Sequence, residues 1–282
     1  MAASPRTVVV TGASKGIGAA TVRRLAGRGV RVIAGVRREE DGAALKEQLA
    51  DRVLPVQLDV TDQDAIAAAA EVVRAEVAER GLNGLVNNAG IAVAAPVEFL
   101  PPGELRHQLE VNVIGQIAVT QALVPLLRAA RGRIVNVGSI GDRIASPMLG
   151  AYTASKFALA ALTDTMRMEL SRWGIEVSLI EPGAVATPIW GTSVAAADRL
   201  LEAAPESIHE LYGGQVAAAR ASARRNDTAG IPPDEVARVI EHALTARRPR
   251  TRYLVGRDAR IASVVARLPD RLRDRLVLSQ SG

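Results

Sequence analysis

The chain has 282 residues and a formal net charge of +5, and 48% of its residues are hydrophobic although it has only two Phe, two Trp and three Tyr. The absence of cysteine excludes disulfides, thiolate metal sites and a cysteine nucleophile, and the three scattered histidines have no metal-ligand spacing, so we expect no metal site. Positive charge would suit nucleic-acid binding. The arginines alternate with acids along helical stretches and aromatic residues for base stacking are scarce, so we predict no nucleic-acid partner.

Short runs of Val, Ile and Leu alternate with helical stretches over the first 190 residues. The runs are predicted strands near 7–11, 31–36, 53–58, 83–87, 133–138 and 175–181, and helices are predicted near 16–28, 40–50, 62–79, 102–130 and 151–173. Apolar strands that are joined by helices predict a parallel sheet covered on both faces. Right-handed crossovers then give an α/β, doubly wound Rossmann-like domain with a mainly parallel sheet. Thr61 and Asp64 are predicted to cap the third helix.

The strand pattern stops between about 187 and 230, where an Ala- and Arg-rich segment predicts helices near 195–204 and 206–224. A long insertion after a strand predicts a helical substrate loop. A helix from Pro232 to about 247, a strand near Arg252–Val255 and an amphipathic tail near 258–278, interrupted at Pro269, follow. We expect one domain over 1–282, with a cofactor half at about 1–150 and a catalytic and substrate half at about 151–282.

The N-terminal sequence has no signal-peptide pattern, because the first apolar run starts at once and leads into a glycine-rich turn. No apolar run looks long enough to cross a membrane. We therefore expect a cytoplasmic protein without an integral membrane segment.

A glycine-rich turn links the first strand to the first helix. Gly12 allows the tight turn, Gly16 allows the backbone to approach a pyrophosphate, and Gly18 allows close packing of helix and strand. The helix N-terminus offers free N–H groups to the phosphates. The turn predicts a dinucleotide site that also includes Ser14, Lys15 and Ile17.

Positive charge replaces the usual acidic residue after the second strand. A NAD-binding fold commonly has an acid there to hold the ribose 2′-hydroxyl, but this chain has Val36 followed by Arg37. Lys15 adds a second cation, and only three of the 35 basic residues are lysines. Two cations without an acid favour NADP(H) over NAD(H). The alternative is that Arg37 belongs to the general excess of arginine.

Tyr152 and Lys156 are separated by four residues, which places them on one face of a helix. A nearby ammonium favours the phenolate and would lower the pKa of the tyrosine from its ordinary value of about 10. The alternative is a half-buried tyrosine beside a solvated lysine.

Several motifs in order resemble the short-chain dehydrogenase/reductase family. They are the glycine turn, Asn87-Asn88-Ala89-Gly90, Asn112, Ser139, the Tyr152/Lys156 pair and Pro182-Gly183. The segment Thr251–Ala259 more weakly resembles the branch of the family that holds retinol and 17β-hydroxysteroid dehydrogenases.

The resemblance implies a role for each matching position. Tyr152 would be the general acid in carbonyl reduction and the general base in alcohol oxidation, and Lys156 would lower its pKa and bind the nicotinamide ribose. Ser139 would hydrogen-bond the substrate oxygen, and Asn112 would hold a water that links Lys156 to solvent. Asn88 would brace the strands beside the cofactor. Further cofactor contacts are implied for Asp59, Val60, Ala89, Gly90, Pro182, Gly183, Val185 and Thr187.

The residues beside these positions are apolar, with Arg143 as the exception. They predict a small apolar ketone or secondary alcohol as substrate, either steroid- or retinoid-like or an unrelated aliphatic or aromatic ketone. The predicted lining residues are Ile140, Met148, Leu149, Ile189 and Trp190.

Two other functions remain open from the sequence. One is a non-enzymatic NADP-binding sensor, which would need the glycine turn but not the catalytic residues. The other is an epimerase or dehydratase of nucleotide sugars, although such relatives usually have a TGxxGxxG turn. The family resemblance also implies a homodimer or homotetramer formed through the helices near 102–130 and 151–173.

Overall fold

The computed structural model describes residues 6–280 and contains one seven-stranded sheet, in which all neighbouring strands are parallel and the order is β3-β2-β1-β4-β5-β6-β7. This confirms the predicted doubly wound α/β fold. The strands are β1 (Thr7–Val10), β2 (Arg31–Val36), β3 (Val53–Gln57), β4 (Gly84–Asn87), β5 (Arg133–Val137), β6 (Glu176–Pro182) and β7 (Arg252–Val255).

Helices cover both faces of the sheet because alternate strand residues point to opposite sides. Val8 and Val10 pack with Ile240, whereas Val9 packs with Val73 and Leu123. The helices are α1 (Gly16–Gly27), α2 (Glu39–Leu49), α3 (Gln63–Val77), α4 (Pro102–Leu109), α5 (Gly115–Ala130), α6 (Gly150–Leu170), α7 (Ile189–Glu202), α8 (Ser207–Ala229), α9 (Pro233–Thr245), α10 (Arg257–Val265) and α11 (Asp270–Gln280).

The strand order reverses at β1, whose neighbours are β2 on one side and β4 on the other. The loops that follow β1 and β4 therefore leave in different directions and open a crevice at the carboxyl ends of the strands. This crevice is where ligands bind in open parallel sheets of this kind, and it brings the glycine turn next to the Asn88 loop.

Two helix predictions needed correction. Helix α3 is capped by Asp62, whose carboxylate accepts hydrogen bonds from the N–H groups of Asp64 (2.9 Å) and Ala65 (3.1 Å). The predicted cap, Thr61, lies one residue too far upstream, and its hydroxyl donates to Asp59 instead (2.7 Å). The inserted helices α7 and α8 begin at 189 and 207 and are longer than predicted.

The predicted helix over 102–130 is divided by a π-helical turn at Glu110–Ile114. The whole stretch, Pro102–Ala130, is the one segment of residues 6–280 that is long and apolar enough to cross a membrane. This observation is weak evidence for a span, because core helices of soluble proteins pass the same test and 44% of the apolar window is buried inside the protein.

Candidate active site

A cavity of about 960 Å³ opens at the carboxyl end of the sheet. It runs from the glycine turn after β1, past the start of α6, to the inserted helices α7 and α8. All the predicted cofactor and substrate residues line it except Gly18, and all the predicted catalytic residues line it except Asn112.

The glycine turn has the geometry that a phosphate cradle requires. Gly12 and Gly16 have φ angles of +60° and +55°, a region that non-glycine residues rarely adopt. A Cβ on Gly18 would collide with the Gly12 carbonyl, so this glycine allows α1 to pack against the turn. No side chain caps α1 and no acid lies in its first turn, so its N–H groups and its positive dipole end face the cavity. These residues fit a dinucleotide.

Two exposed cations stand at this end of the cavity. Lys15 and Arg37 both line it, and within residues 6–280 neither has a carboxylate within salt-bridge distance. The neighbouring Arg38, in contrast, is held by Asp41 through two hydrogen bonds of 3.1 and 3.0 Å. Val36, at the position where an acid would hold a ribose hydroxyl, is buried.

The floor of the crevice is braced by Asn88. Its side-chain amide donates to the carbonyls of Thr11 (2.9 Å) and Gly12 (3.0 Å), and the Thr11 hydroxyl accepts from the Asn88 N–H (3.0 Å). The amide therefore holds the ends of β1 and β4 together beside the glycine turn.

Asp59 lies in the loop after β3 and also lines the cavity. Its carboxylate accepts from the N–H (2.9 Å) and hydroxyl (2.7 Å) of Thr61. Burial acts to raise the pKa of Asp59, but the bonds from Thr61 and the charge of Arg37 outweigh it and the pKa is lowered. Asp59 is therefore a carboxylate anchored in the loop that lines this part of the cavity.

Ser139, Tyr152 and Lys156 all line the cavity, close to the end of β5 and the start of α6. Ser139 follows β5, and its hydroxyl accepts from the Gly141 N–H (3.0 Å). Lys156 is 5% exposed; its ammonium donates to the Val137 carbonyl (2.9 Å) and lies 5.7 Å from the centre of the Tyr152 ring. Strand β5 and helix α6 thus bring a hydroxyl, a phenol and an ammonium to one spot.

The expected fall in the pKa of Tyr152 is not found in the protein without a bound cofactor. Burial raises the pKa of the phenol above its ordinary value, the interaction with the Ser139 hydroxyl lowers it, and the charge of Asp142 raises it further. Burial also lowers the pKa of Lys156 to about 8, against the opposing charge of Asp142. The ammonium is hydrogen-bonded to the Val137 carbonyl, and burial is the largest influence on the pKa of the phenol.

Asn112 lies within the π-helical turn and is completely buried. It accepts from the Ile91 N–H (2.9 Å) and donates to the Ile91 carbonyl (3.0 Å) and to the Ser155 hydroxyl (3.1 Å). Ser155 in turn donates to the Tyr152 carbonyl (2.6 Å). Asn112 therefore ties the loop after β4 to the turn of α6 that carries Tyr152.

The sequence did not reveal a buried polar ladder beneath the site. Asn87 and Asn136 are paired across β4 and β5, and the Asn87 amide donates to Asn136 (2.9 Å) and to Thr120 of α5 (2.8 Å). The Asn136 amide donates to Thr163 of α6 (2.8 Å). The available signal in the sequence was an Asn near the end of each of two predicted strands, Asn87 and Asn136.

The other end of the cavity is covered by α7 and α8 and is mainly apolar, although Gln215, Arg220 and Asn226 of α8 also line it. Leu201, Ile208 and Val216 form a small separate core there, with Phe99, Met148 and Tyr212 packed against it. Several further residues that the sequence did not single out line this region: Phe99, Ile144, Val194, Leu201, Ile208, Val216, Ala219 and Leu278.

Two residues near the substrate end have features that the sequence did not predict. Arg143 does not line the cavity; its guanidinium forms two hydrogen bonds of 2.6 and 2.9 Å with the buried carboxylate of Glu181. Met148, which does line it, has a φ of +68°, a conformation that costs a non-glycine residue strain.

A family model described as short chain dehydrogenase matches residues 6–198. The chain belongs to this family. It is therefore an enzyme, an oxidoreductase that acts on CH–OH groups and uses a nicotinamide cofactor. The predicted family is confirmed.

Known members of the family are similar to this chain over most of its length. Human 17-beta-hydroxysteroid dehydrogenase type 6 is 38% identical over 273 residues, which are 95% of this chain and 86% of the human protein. The NADPH-dependent 3-dehydrocapnine reductase of Ornithobacterium rhinotracheale is 34% identical over 277 residues, or 96% of this chain and 95% of the reductase. Several retinol dehydrogenases are about as similar, which confirms the predicted branch.

A solved structure shares the whole fold. The short-chain dehydrogenase from Burkholderia cenocepacia J2315, in complex with NADP, is 28% identical and has a TM-score of 0.73, with 96% of this chain and 97% of that chain covered.

Proposed function

We propose that this short-chain dehydrogenase transfers a hydride between NADP(H) and the carbonyl or carbinol carbon of an apolar ketone or secondary alcohol. The observation that carries the proposal is the continuous cavity. Lys15 and Arg37, which have no carboxylate within salt-bridge distance among residues 6–280, stand at one end. Ser139, Tyr152 and Lys156 line the cavity between this end and the end that is covered mainly by apolar side chains of α7 and α8.

In the reductive direction, Tyr152 donates its phenolic proton to the carbonyl oxygen. The hydroxyl of Ser139 donates a hydrogen bond to the same oxygen as negative charge develops on it. Lys156, as an ammonium, stabilises the phenolate that is left after the transfer. The raised pKa of Tyr152 keeps the phenol protonated at neutral pH, which suits a general acid. The nicotinamide supplies the hydride when bound.

The apolar end of the cavity favours a substrate with one required oxygen and a large hydrocarbon body. Ile140, Leu149 and Ile189 line the cavity near the catalytic residues, and Trp190 is held by a hydrogen bond from its indole N–H to the Val185 carbonyl (2.7 Å). Steroid- and retinoid-like alcohols fit this description, and relatives of this chain are named as hydroxysteroid and retinol dehydrogenases. We expect NADPH-dependent reduction of at least one bulky ketone in a panel, and no turnover across such a panel would count against the proposal.

The catalytic role of Tyr152 is tested with Tyr152→Phe. Loss of a general acid costs about 10²- to 10⁴-fold in kcat, and we expect that loss without a comparable rise in KM. Tyr212→Phe is the matched control, because the Tyr212 hydroxyl donates to Glu98 (2.8 Å) and Tyr212 does not line the cavity. Full activity in Tyr152→Phe would refute the role.

The preference for NADP(H) is tested with Lys15→Ala and Arg37→Ala. A hydrogen bond to a charged group is worth about 1.5–3 kcal/mol, so each change should weaken NADPH binding about tenfold or more and leave NADH binding nearly unchanged. Arg38→Ala is the control, since Asp41 already occupies that guanidinium. Equal affinity of the unmodified enzyme for NADH and NADPH would overturn the preference.

We further propose a cytoplasmic homodimer or homotetramer that assembles through α5 and α6. Helix α6 exposes three large apolar residues, Phe157 (46%), Leu162 (36%) and Met168 (62%), which a second copy would cover. Sedimentation equilibrium measures the assembly, and Phe157→Glu should shift it toward monomer. Cell fractionation tests the location; recovery of the protein in the membrane fraction would contradict it.

A further inference from the structure

Asp142 is a buried carboxyl group next to the catalytic residues. It ends the short turn Ile140–Asp142 that follows Ser139, and its side chain has no exposed surface. Both carboxyl oxygens lack a hydrogen-bond donor among the described residues, and the nearest guanidinium nitrogen, Nε of Arg143, is 3.8 Å away. An ionised carboxylate is costly in such a position.

The neighbour of Asp142 explains how the cost is avoided. The carboxylate of Glu181, at the end of β6, is also fully buried, and the two carboxyl groups are neighbours because Arg143 Nε lies 2.6 Å from Glu181 and 3.8 Å from Asp142. Glu181 accepts two hydrogen bonds from Arg143 (2.6 and 2.9 Å) and one from Arg252 (3.0 Å), so the negative charge belongs on Glu181. Asp142 then holds a proton that it can donate to Glu181.

The charged groups on the other elements around this pair leave no partner for an ionised Asp142. On α6, Asp164 is shared by Arg252 (2.8 Å) and Arg167 (3.0 Å). On α10, Asp258 accepts from the Ala184 N–H (2.7 Å). The remaining ionisable neighbours on α6 are Tyr152 and Lys156, and the charge of an ionised Asp142 acts on both.

We propose that Asp142 is a positioning residue whose neutral, protonated carboxyl keeps negative charge away from Tyr152, and that its ionisation makes the Tyr152 phenolate harder to form. The proposal rests on the proposed role of Tyr152. Burial and the charge of Glu181 raise the pKa of Asp142 to about 8. Oxidation requires the phenolate, and an anionic Asp142 opposes it through space.

The direct test follows the ionisation of Tyr152 by its ultraviolet absorption, without any substrate. The signal of Tyr152 is isolated by subtracting the titration of Tyr152→Phe, since Tyr212 and Tyr253 are common to both proteins. In Asp142→Asn, which keeps a hydrogen-bond donor toward Glu181, we expect Tyr152 to ionise about one pH unit lower, a tenfold gain in phenolate. The ascending limb of kcat for oxidation should move by the same amount, with KM little changed.

The matched control is Asp164→Asn. Asp164 is linked to Glu181 through Arg252, but its side chain is 37% exposed. It should leave the Tyr152 titration unchanged. Identical titrations of Tyr152 in the unmodified protein and in Asp142→Asn, or an equal shift in Asp164→Asn, would overturn the proposal. A shifted titration without turnover of any alcohol would support it and count against the proposed function instead.

Infrared spectroscopy of the unmodified protein keeps the proposal testable if Asp142→Asn does not fold. We expect a protonated-carboxyl band at pH 7 that is lost by about pH 9. No such band at pH 7 would show that Asp142 is ionised and would refute the proposal.

Discussion

Replacing Asp142 by Asn should stabilise the protein by an amount that grows as the pH rises from about 4 to about 8. Burial and Glu181 raise the pKa of Asp142 from 3.8 to about 8 in the folded protein, whereas the unfolded chain returns it to its ordinary value. Between about pH 4 and pH 8 the folded protein therefore holds a proton that the unfolded chain has released. The unmodified protein is therefore fully stable with respect to this group below about pH 4, where Asp142 is protonated in both the folded and the unfolded state. It loses stability as the pH rises from about 4 to about 8.

The size of the effect follows from the same difference. A rise from 3.8 to about 8 corresponds to about 5–6 kcal/mol. Relaxation around a buried ion reduces the penalty to several kcal/mol. We expect Asp142→Asn to exceed the unmodified protein in its free energy of unfolding by about 3–5 kcal/mol at pH 9, and by less than about 1 kcal/mol at pH 4.

Urea unfolding at pH 4, 6, 7.5 and 9 measures the difference, with equal m-values as a check that both proteins unfold alike. Asp164→Asn should behave oppositely. Burial acts to raise the pKa of Asp164, but its bonds to Arg252 and Arg167 lower it, so this carboxylate contributes stability above the unfolded pKa that is lost as the pH falls. A gain in Asp142→Asn that is independent of pH, or a loss at pH 9, would refute the reasoning.

Two further changes test the ladder and the glycine turn. Asn136→Ala removes the acceptor for the Asn87 amide on β4 and the donor to Thr163 of α6, so we expect a loss of about 2–4 kcal/mol in the free energy of unfolding measured with urea. The exposed Thr165→Ala should cost less than about 0.5 kcal/mol. Gly16→Ala puts a side chain at a φ of +55°, 3.1 Å from a methyl of Thr187. We expect about tenfold weaker NADPH binding with the fold retained, and unchanged affinity would contradict the cradle.

Elements whose signal is local were predicted well. The strands from β1 to β6 agree with the apolar runs to within one or two residues, because short buried parallel strands leave an uninterrupted apolar pattern. The cap of α3 was misplaced because Thr61, Asp62 and Asp64 are all capping residues, and the backbone decides which of them faces the free N–H groups. The π-helical turn at Glu110–Ile114 left no sign in the periodicity.

Sequence by itself determined the sheet, the glycine turn and the motif residues Ser139, Tyr152 and Lys156, since each depends on residue types and spacings within a short window. Only the tertiary structure decided their electrostatics. The spacing of Tyr152 and Lys156 predicts contact, but the ammonium bonds the Val137 carbonyl and burial raises the pKa of the phenol. The pairing of Asp142 with Glu181 joins distant segments. Desolvation depends on everything that packs around a group, and no local pattern encodes it.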